Sequence, residues 1–157
     1  MPRPLLTRID HIGIACHDLD ETVARYQRLF GLALASREVN EEQGVEEAML
    51  TVTDPAAIPI TRGGGSYLQL LRPLRADSPV GRFLTRRGEG VHHVGYGVLD
   101  VSQALSTLAG EGVRLVDSRP RHGSMGAAIA FLHPHDLSGV LTELVQAPVP
   151  VVAGPGA

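Results

Sequence analysis

Asp10-His11-Ile12-Gly13-Ile14-Ala15 and His92-His93-Val94-Gly95-Tyr96-Gly97 occur in one chain of 157 residues, and laying one on the other decides how that chain is organised. Each run sets a histidine ahead of an alternating pattern, the period-two signature of a strand with one buried face. Seven residues beyond each histidine stands an aspartate, Asp18 after His11 and Asp100 after His93. Three positions further on come Glu21 and Gln103, the spacing of a capping box in which two side chains satisfy the free backbone donors at a helix start. Two helices therefore begin in register.

The first helix is expected to bury Leu19, Val23, Tyr26 and Phe30 and the second Val101, Leu105 and Leu108, because spacings of three and four set one apolar stripe against a sheet. Gly31 and Gly112 can take the left-handed conformation that ends a helix. Strands are predicted at 32–37, 46–52 and 67–72 in the first half and at 113–116, 127–132 and 140–145 in the second. The plan is strand, helix and three strands, twice over. It predicts an α+β fold of two tandem βαβββ modules, residues 6–75 and 91–146, within a single domain over 1–157. A connecting helix within 76–90 opens at Ser78-Pro79 and ends near Gly88. The loop 54–65, with two prolines and three consecutive glycines, is predicted to be mobile, and 147–157 to form a loosely ordered tail. Two such halves would bury their apolar faces on one another as a curled mixed sheet and leave a cleft for a ligand. A binding protein and an enzyme both fit that geometry.

Composition narrows the partners. An apolar content of 43% with 20% charged residues is that of a globular domain, and a net charge of −3 gives no reason to expect nucleic acid. No apolar run approaches the roughly 20 residues that cross a bilayer, so no membrane partner is expected. The single cysteine, Cys16, has no internal disulfide partner and is expected to pack as a small apolar residue. With no leader-like segment at the start, the expected compartment is the cytoplasm.

The repeat also relates Gln69, in Leu68-Gln69-Leu70-Leu71, to Glu143, in Leu141-Thr142-Glu143-Leu144. Each half then offers one imidazole and one oxygen donor from its first and last strands. Taken singly, each has an ordinary explanation: a hydrogen-bonded histidine beside a strand, or a half-buried polar group bonded to neighbouring backbone. Taken together, His11, Gln69, His93 and Glu143 form a mixed nitrogen and oxygen set that suits a first-row divalent metal ion. His92 is expected to point away from His93, since strand side chains alternate, and is not expected to be a ligand. No role is assigned to His17, His122, His133 or His135.

At these residues the chain resembles the vicinal oxygen chelate superfamily of glyoxalases, bleomycin resistance proteins and dioxygenases, and within it the methylmalonyl-CoA epimerases. The resemblance runs over about residues 6–146, through Ile9-Asp10-His11-Ile12-Gly13-Ile14-Ala15, Asn40-Glu41-Glu42-Gln43-Gly44-Val45, Gly90-Val91-His92-His93-Val94 and Gly139-Val140-Leu141-Thr142-Glu143-Leu144. The second stretch discriminates the epimerases from the rest of the superfamily. The resemblance implies interconversion of (2R)- and (2S)-methylmalonyl-CoA through a metal-stabilised enolate. It makes His11, Gln69, His93 and Glu143 the metal ligands and adds Glu47, which with Glu143 would form the acid–base pair. Glu46 stands beside Glu47, and on alternating strand geometry only one of them faces the cleft. Burial should raise both catalytic carboxyls while ligation pulls Glu143 the other way, a balance the sequence leaves open.

The implied cofactor is one divalent metal ion, cobalt foremost in vitro, with manganese, zinc, nickel or magnesium as alternatives. The implied partners are an acyl-CoA substrate and a second copy of the chain in a homodimer. Arg121-His122-Gly123-Ser124-Met125-Gly126 also matches the family, and its glycines would bring backbone N–H groups near an anionic oxygen, although a plain hairpin turn reads equally well. Arg72, Arg75, Arg82, Arg86, Arg87, Arg119 and Arg121 are available to coenzyme A phosphates. Three rivals stand beside this reading: a two-histidine, one-carboxylate oxygen-using iron enzyme, a glyoxalase-type isomerase, and a metal-free ligand-binding protein.

Overall fold

The two histidine-bearing runs become neighbouring central strands, β1 (Arg8–Ala15) and β5 (Gly90–Gly97), paired antiparallel. In this computed structural model residues 4–52 and 65–149 are described. The loop predicted to be mobile therefore lies outside the described residues except for Gly65, as does the tail beyond residue 149. The first half adds α1 (Leu19–Phe30), β2 (Ala33–Asn40), β3 (Val45–Thr51) and β4 (Tyr67–Pro73). After α2 (Pro79–Arg87) and β5, the second half adds α3 (Val101–Gly110), β6 (Arg121–His122), β7 (Ala128–Leu132) and β8 (Thr142–Gln146). Among the described residues one mixed sheet runs β2-β3-β4-β1-β5-β8-β7-β6. Read outward from the β1–β5 seam the order is the same in both halves, with parallel pairs β1–β4 and β5–β8 next to the seam.

Local chemistry sets the helix starts. Asp18 accepts from the Glu21 N–H and Asp100 from the Gln103 N–H, each at 2.9 Å. Only this half of each box is formed among the described residues, and the Glu21 carboxylate pairs instead with Arg25 one turn on. Ser78 caps α2 through the Gly81 N–H, with Pro79 in the first turn. Leu19 and Val23 of α1 pack with Ala48, Leu50 and Leu70. Val101, Ala104 and Leu105 of α3 pack equivalently with Ala130, Leu132 and Leu144. The helices thus cover one sheet face and leave the alternate residues of the same strands to the cleft. Val80 and Leu84 of α2 close one end of the cleft against Ala15, Val45 and Leu71.

Two expectations change. Phe30, expected in the core, is 64% exposed and lies against Tyr26, because the chain turns back at Gly31 and Leu32 packs on the helix–sheet cluster instead. The strand predicted at 113–116 is reduced to a single bridge between Leu115 and Leu132. Here the N–H groups of Val116 and Asp117 share the Phe131 carbonyl, and the Asp117 side chain takes the Phe131 N–H at 2.9 Å, so a side chain replaces a ladder bond. Pro120 then interrupts the chain, and the outer strand of this half is the two-residue β6. No helix among the described residues is long and apolar enough to cross a membrane.

Candidate metal centre

Strand register brings the polar residues of the repeat together in two crossed rows. Gly13 on β1 lies between Gln69 of β4 and His93 of β5, and Gly95 on β5 lies between His11 of β1 and Glu143 of β8. All four polar side chains are buried. His11 Nε2 is 3.0 Å from His93 Nε2, and each lies 2.9 Å from Glu143 Oε2. These three donors lie close enough together to share one cation. Gln69 Oε1 is buried with no hydrogen-bond partner among the described residues, which leaves it free for a ligand. The donor set therefore fits a divalent cation.

The two glycines make room for the rings. A Cβ on Gly13 would fall 2.2 Å from His93 Cε1, and one on Gly95 would fall 2.3 Å from His11 Cε1. Each half thus lends the other a bare backbone on which to lay an imidazole. The His-x-Gly pattern in both quoted runs is the sequence signal for this, read earlier only as part of a strand.

Second partners fix the rings. Asp10 Oδ1 lies 2.8 Å from His11 Nδ1, and its other oxygen takes the Arg8 guanidinium at 2.7 Å. The carboxylate holds the proton on Nδ1 and turns Nε2 to the site. Burial disfavours the His11 cation, but the Asp10 and Glu143 carboxylates outweigh it and lift the group to about 10. Burial likewise works against the Glu143 anion, yet the two imidazoles hold that carboxyl well below the usual range. It is the imidazoles, and not a metal ion, that keep Glu143 ionised here against its burial.

Glu47 faces the cleft and is buried, whereas Glu46 lies on the other face between Arg37 and Arg72. Glu47 is held by the Ser124 hydroxyl and, at 2.6 Å, by the Gln69 amide, which also reaches Ser124 Oγ at 3.0 Å. Burial, helped by the charges of Glu143 and Glu38, pushes the Glu47 carboxyl up against the hydrogen bonds of Ser124 and Gln69. Ser124 was not singled out from sequence. The Arg121–Gly126 match located its loop, but the hydroxyl meets Glu47 only through the curl of the sheet, and Met125 beside it takes a left-handed φ of 55°. Because the Ser124 hydrogen bond favours the anion, Ser124→Ala should raise the Glu47 carboxyl further. If Glu47 acts as a base it must be deprotonated, so the acid limb of a kcat/KM profile should move to higher pH. An unmoved limb would remove Ser124 from that role.

Of the other residues named from sequence, Cys16 is buried in the α1 cluster. His17, His122, His133 and His135 lie outside the His11, His93 and Glu143 group. His92 does not turn fully away: its Nδ1 is 3.0 Å from that of His93. Arg72, Arg75 and Arg121 pair with carboxylates, while Arg82, Arg86 and Arg87 line one groove beside α2.

Paired modules laying two histidines and a carboxylate on a shared cleft floor define a class, and residues 10–131 match the family model of the glyoxalase/bleomycin resistance protein/dioxygenase superfamily. A variant of the Streptomyces coelicolor methylmalonyl-CoA epimerase in complex with 2-nitronate-propionyl-CoA superposes with a TM-score of 0.86 at 53% identity, covering 92% of this chain and 99% of that one. The mitochondrial methylmalonyl-CoA epimerase of Dictyostelium discoideum is 35% identical over 88% of this chain and 78% of its own length. The ethylmalonyl-CoA/methylmalonyl-CoA epimerase of Cereibacter sphaeroides is 32% identical over 90% of this chain and 99% of its own. The chain belongs to the methylmalonyl-CoA epimerase family of that superfamily.

Proposed function

We propose that this chain interconverts the (2R) and (2S) epimers of methylmalonyl-CoA, with His11, Gln69, His93 and Glu143 holding one divalent metal ion and Glu47 and Glu143 as the acid–base pair. The observation that carries the reading is the convergence of two imidazole nitrogens and a carboxylate oxygen within 3.0 Å of one another, beside a second buried carboxylate held in place by Ser124 and Gln69. A bound cation supplies Lewis-acid stabilisation of the negative charge that develops on substrate oxygens, worth several kcal/mol.

The chain's own residues move the proton. The carbon between thioester and carboxylate loses its proton to one carboxylate and receives another on the opposite face from the second carboxyl. The more readily protonated Glu47 and the anionic Glu143 suit opposite roles. The epimer that yields its proton to Glu143 takes one from Glu47, and the reverse reaction exchanges the roles. A cleft of about 290 Å³, lined by His11, Glu143, Ser124, Met49, Tyr67 and Ile129, is at the small end of ligand pockets. That size suits the acyl head and leaves the coenzyme A arm outside; Arg82, Arg86 and Arg87, in a separate groove beside α2, are candidates for its phosphates. The mixed donor set favours a borderline first-row ion, cobalt first, with manganese, zinc, nickel or magnesium as alternatives. A homodimer is supported by the exposed edge strand β2, which presents Leu34 and Val39 to solvent.

The test is to incubate one epimer with metal-loaded protein in heavy water, with and without chelator, following configuration and deuterium at the second carbon. Metal-dependent inversion with deuterium uptake is expected. Bound metal with no exchange would sink the proposal, and oxygen consumption on iron loading would favour the oxygen-using rival, against which the free Gln69 oxygen argues.

A further inference from the structure

The β1–β5 pairing is broken twice, at equivalent places. Ile9 pairs with Tyr96 and His11 with Gly95, which leaves Asp10 as the extra residue on β1. Gly13 pairs with His93 and Ile14 with Val91, which leaves His92 as the extra residue on β5. Each histidine of the centre is therefore preceded by a bulge residue. A bulge sets two residues against one and re-aims the side chain it carries, so these side chains come alongside the following ring instead of turning fully to the opposite face. Asp10 uses the position to take the Nδ1 proton of His11. His92 uses it to bring its own Nδ1 to 3.0 Å from Nδ1 of His93, with the rings nearly perpendicular at 88°. Phe83 of α2 packs on His92 at 5.1 Å and Phe131 on the far side of His93 at 5.5 Å, so both rings are held.

Two nitrogens at that separation need one proton between them. Since His93 turns Nε2 toward His11 and Glu143, its proton belongs on Nδ1, and the nitrogen that accepts it is Nδ1 of His92. We propose that His92 is the positioning residue of His93: a neutral imidazole, protonated on Nε2, that occupies the place Asp10 has in the other half and fixes the tautomer through which His93 binds metal. The two halves then differ in charge, with a carboxylate behind His11 and a neutral acceptor behind His93. The centre keeps more of the cation's positive charge than two carboxylates would leave it. This inference rests on the metal-binding reading above.

The test is zinc affinity, measured by competition with a chromogenic chelator on the full chain. His92→Phe keeps a ring and removes the acceptor, and its affinity should fall about 10–100-fold, the range for lost outer partners of metal ligands. His92→Asn carries an oxygen acceptor near the position of Nδ1 and should recover most of that loss. In the zinc-loaded wild type, nitrogen-15 spectra should show His92 protonated on Nε2 alone and His93 on Nδ1 alone, a signature that packing by itself does not require. Wild-type affinity in His92→Phe, no recovery in a folded His92→Asn, or a proton on Nδ1 of His92 would each overturn the assignment. Should His92→Phe not fold, His92→Asn and the wild-type spectra still decide. If wild-type protein binds no zinc, the metal reading falls and takes this inference with it; if it binds and His92→Phe matches it, only this inference falls.

Discussion

Glu47→Gln should slow epimerisation by orders of magnitude while leaving metal binding and the fold in place. The substitution keeps the shape of the side chain, and an amide can serve both neighbours: its oxygen accepts from the Gln69 amide and its NH2 group donates to a reoriented Ser124 hydroxyl. What is lost is the ability to take or give a proton beside the reacting carbon. General acid–base groups contribute about 10²–10⁴-fold, and kcat should fall by that order. The informative readout is isotopic. With Glu143 still present, one of the two epimers should continue to exchange its proton with heavy water without inverting, because removal and return now take place on one face. Loss of exchange from both epimers at unchanged metal content would contradict a two-carboxylate mechanism, as would inversion at the wild-type rate.

Gly95→Ala should uncouple the metal centre without replacing a donor residue. The new methyl carbon would stand 2.3 Å from His11 Cε1 and 2.5 Å from its Nδ1, with the ring pinned by Asp10 on one side and Glu143 on the other. Either the imidazole leaves its place or β1 and β5 separate. Misplacing a functional group by about 1 Å can cost on the order of 10²-fold, and a loss of that order is expected in activity and in zinc affinity by calorimetry. Overpacking should also lower the stability of the metal-free protein by about 1–3 kcal/mol in a denaturant titration. Gly90→Ala on the same strand is the control, since a Cβ there meets nothing within 4 Å. Zinc binding by Gly95→Ala at wild-type affinity would show that the ring does not depend on the bare backbone.

Much of this was legible because the repeat works locally. Asp18 and Asp100 cap helices through backbone groups three residues away, and the strands alternate over short spans, so both can be read from neighbours in sequence. The weak outer strand of the second half was not legible. Its apolar residues match those of a strand, but the Asp117 side chain takes a ladder bond and Pro120 breaks the run. Phe30 fits the helical stripe equally well and is exposed because the helix ends where the chain turns back to the sheet.

At the centre the division is sharper. By itself the sequence determined the two βαβββ halves and matched His11 with His93 and Gln69 with Glu143 through the repeat; resemblance pointed to Glu47 as the candidate base. Spacing within a chain can specify these, because each is a short-range pattern used twice. Tertiary structure alone decided that Gly13 and Gly95 cradle the opposite half's imidazoles, that Ser124 comes to Glu47 from the other module, and that bulges at Asp10 and His92 aim those side chains at the histidines that follow them. The cradles and the bulges depend on the register between strands about 80 residues apart in sequence, and the Ser124 contact on the curl of the sheet. A shift of one residue in a sheet sends a side chain to the opposite face, so no local pattern can fix it.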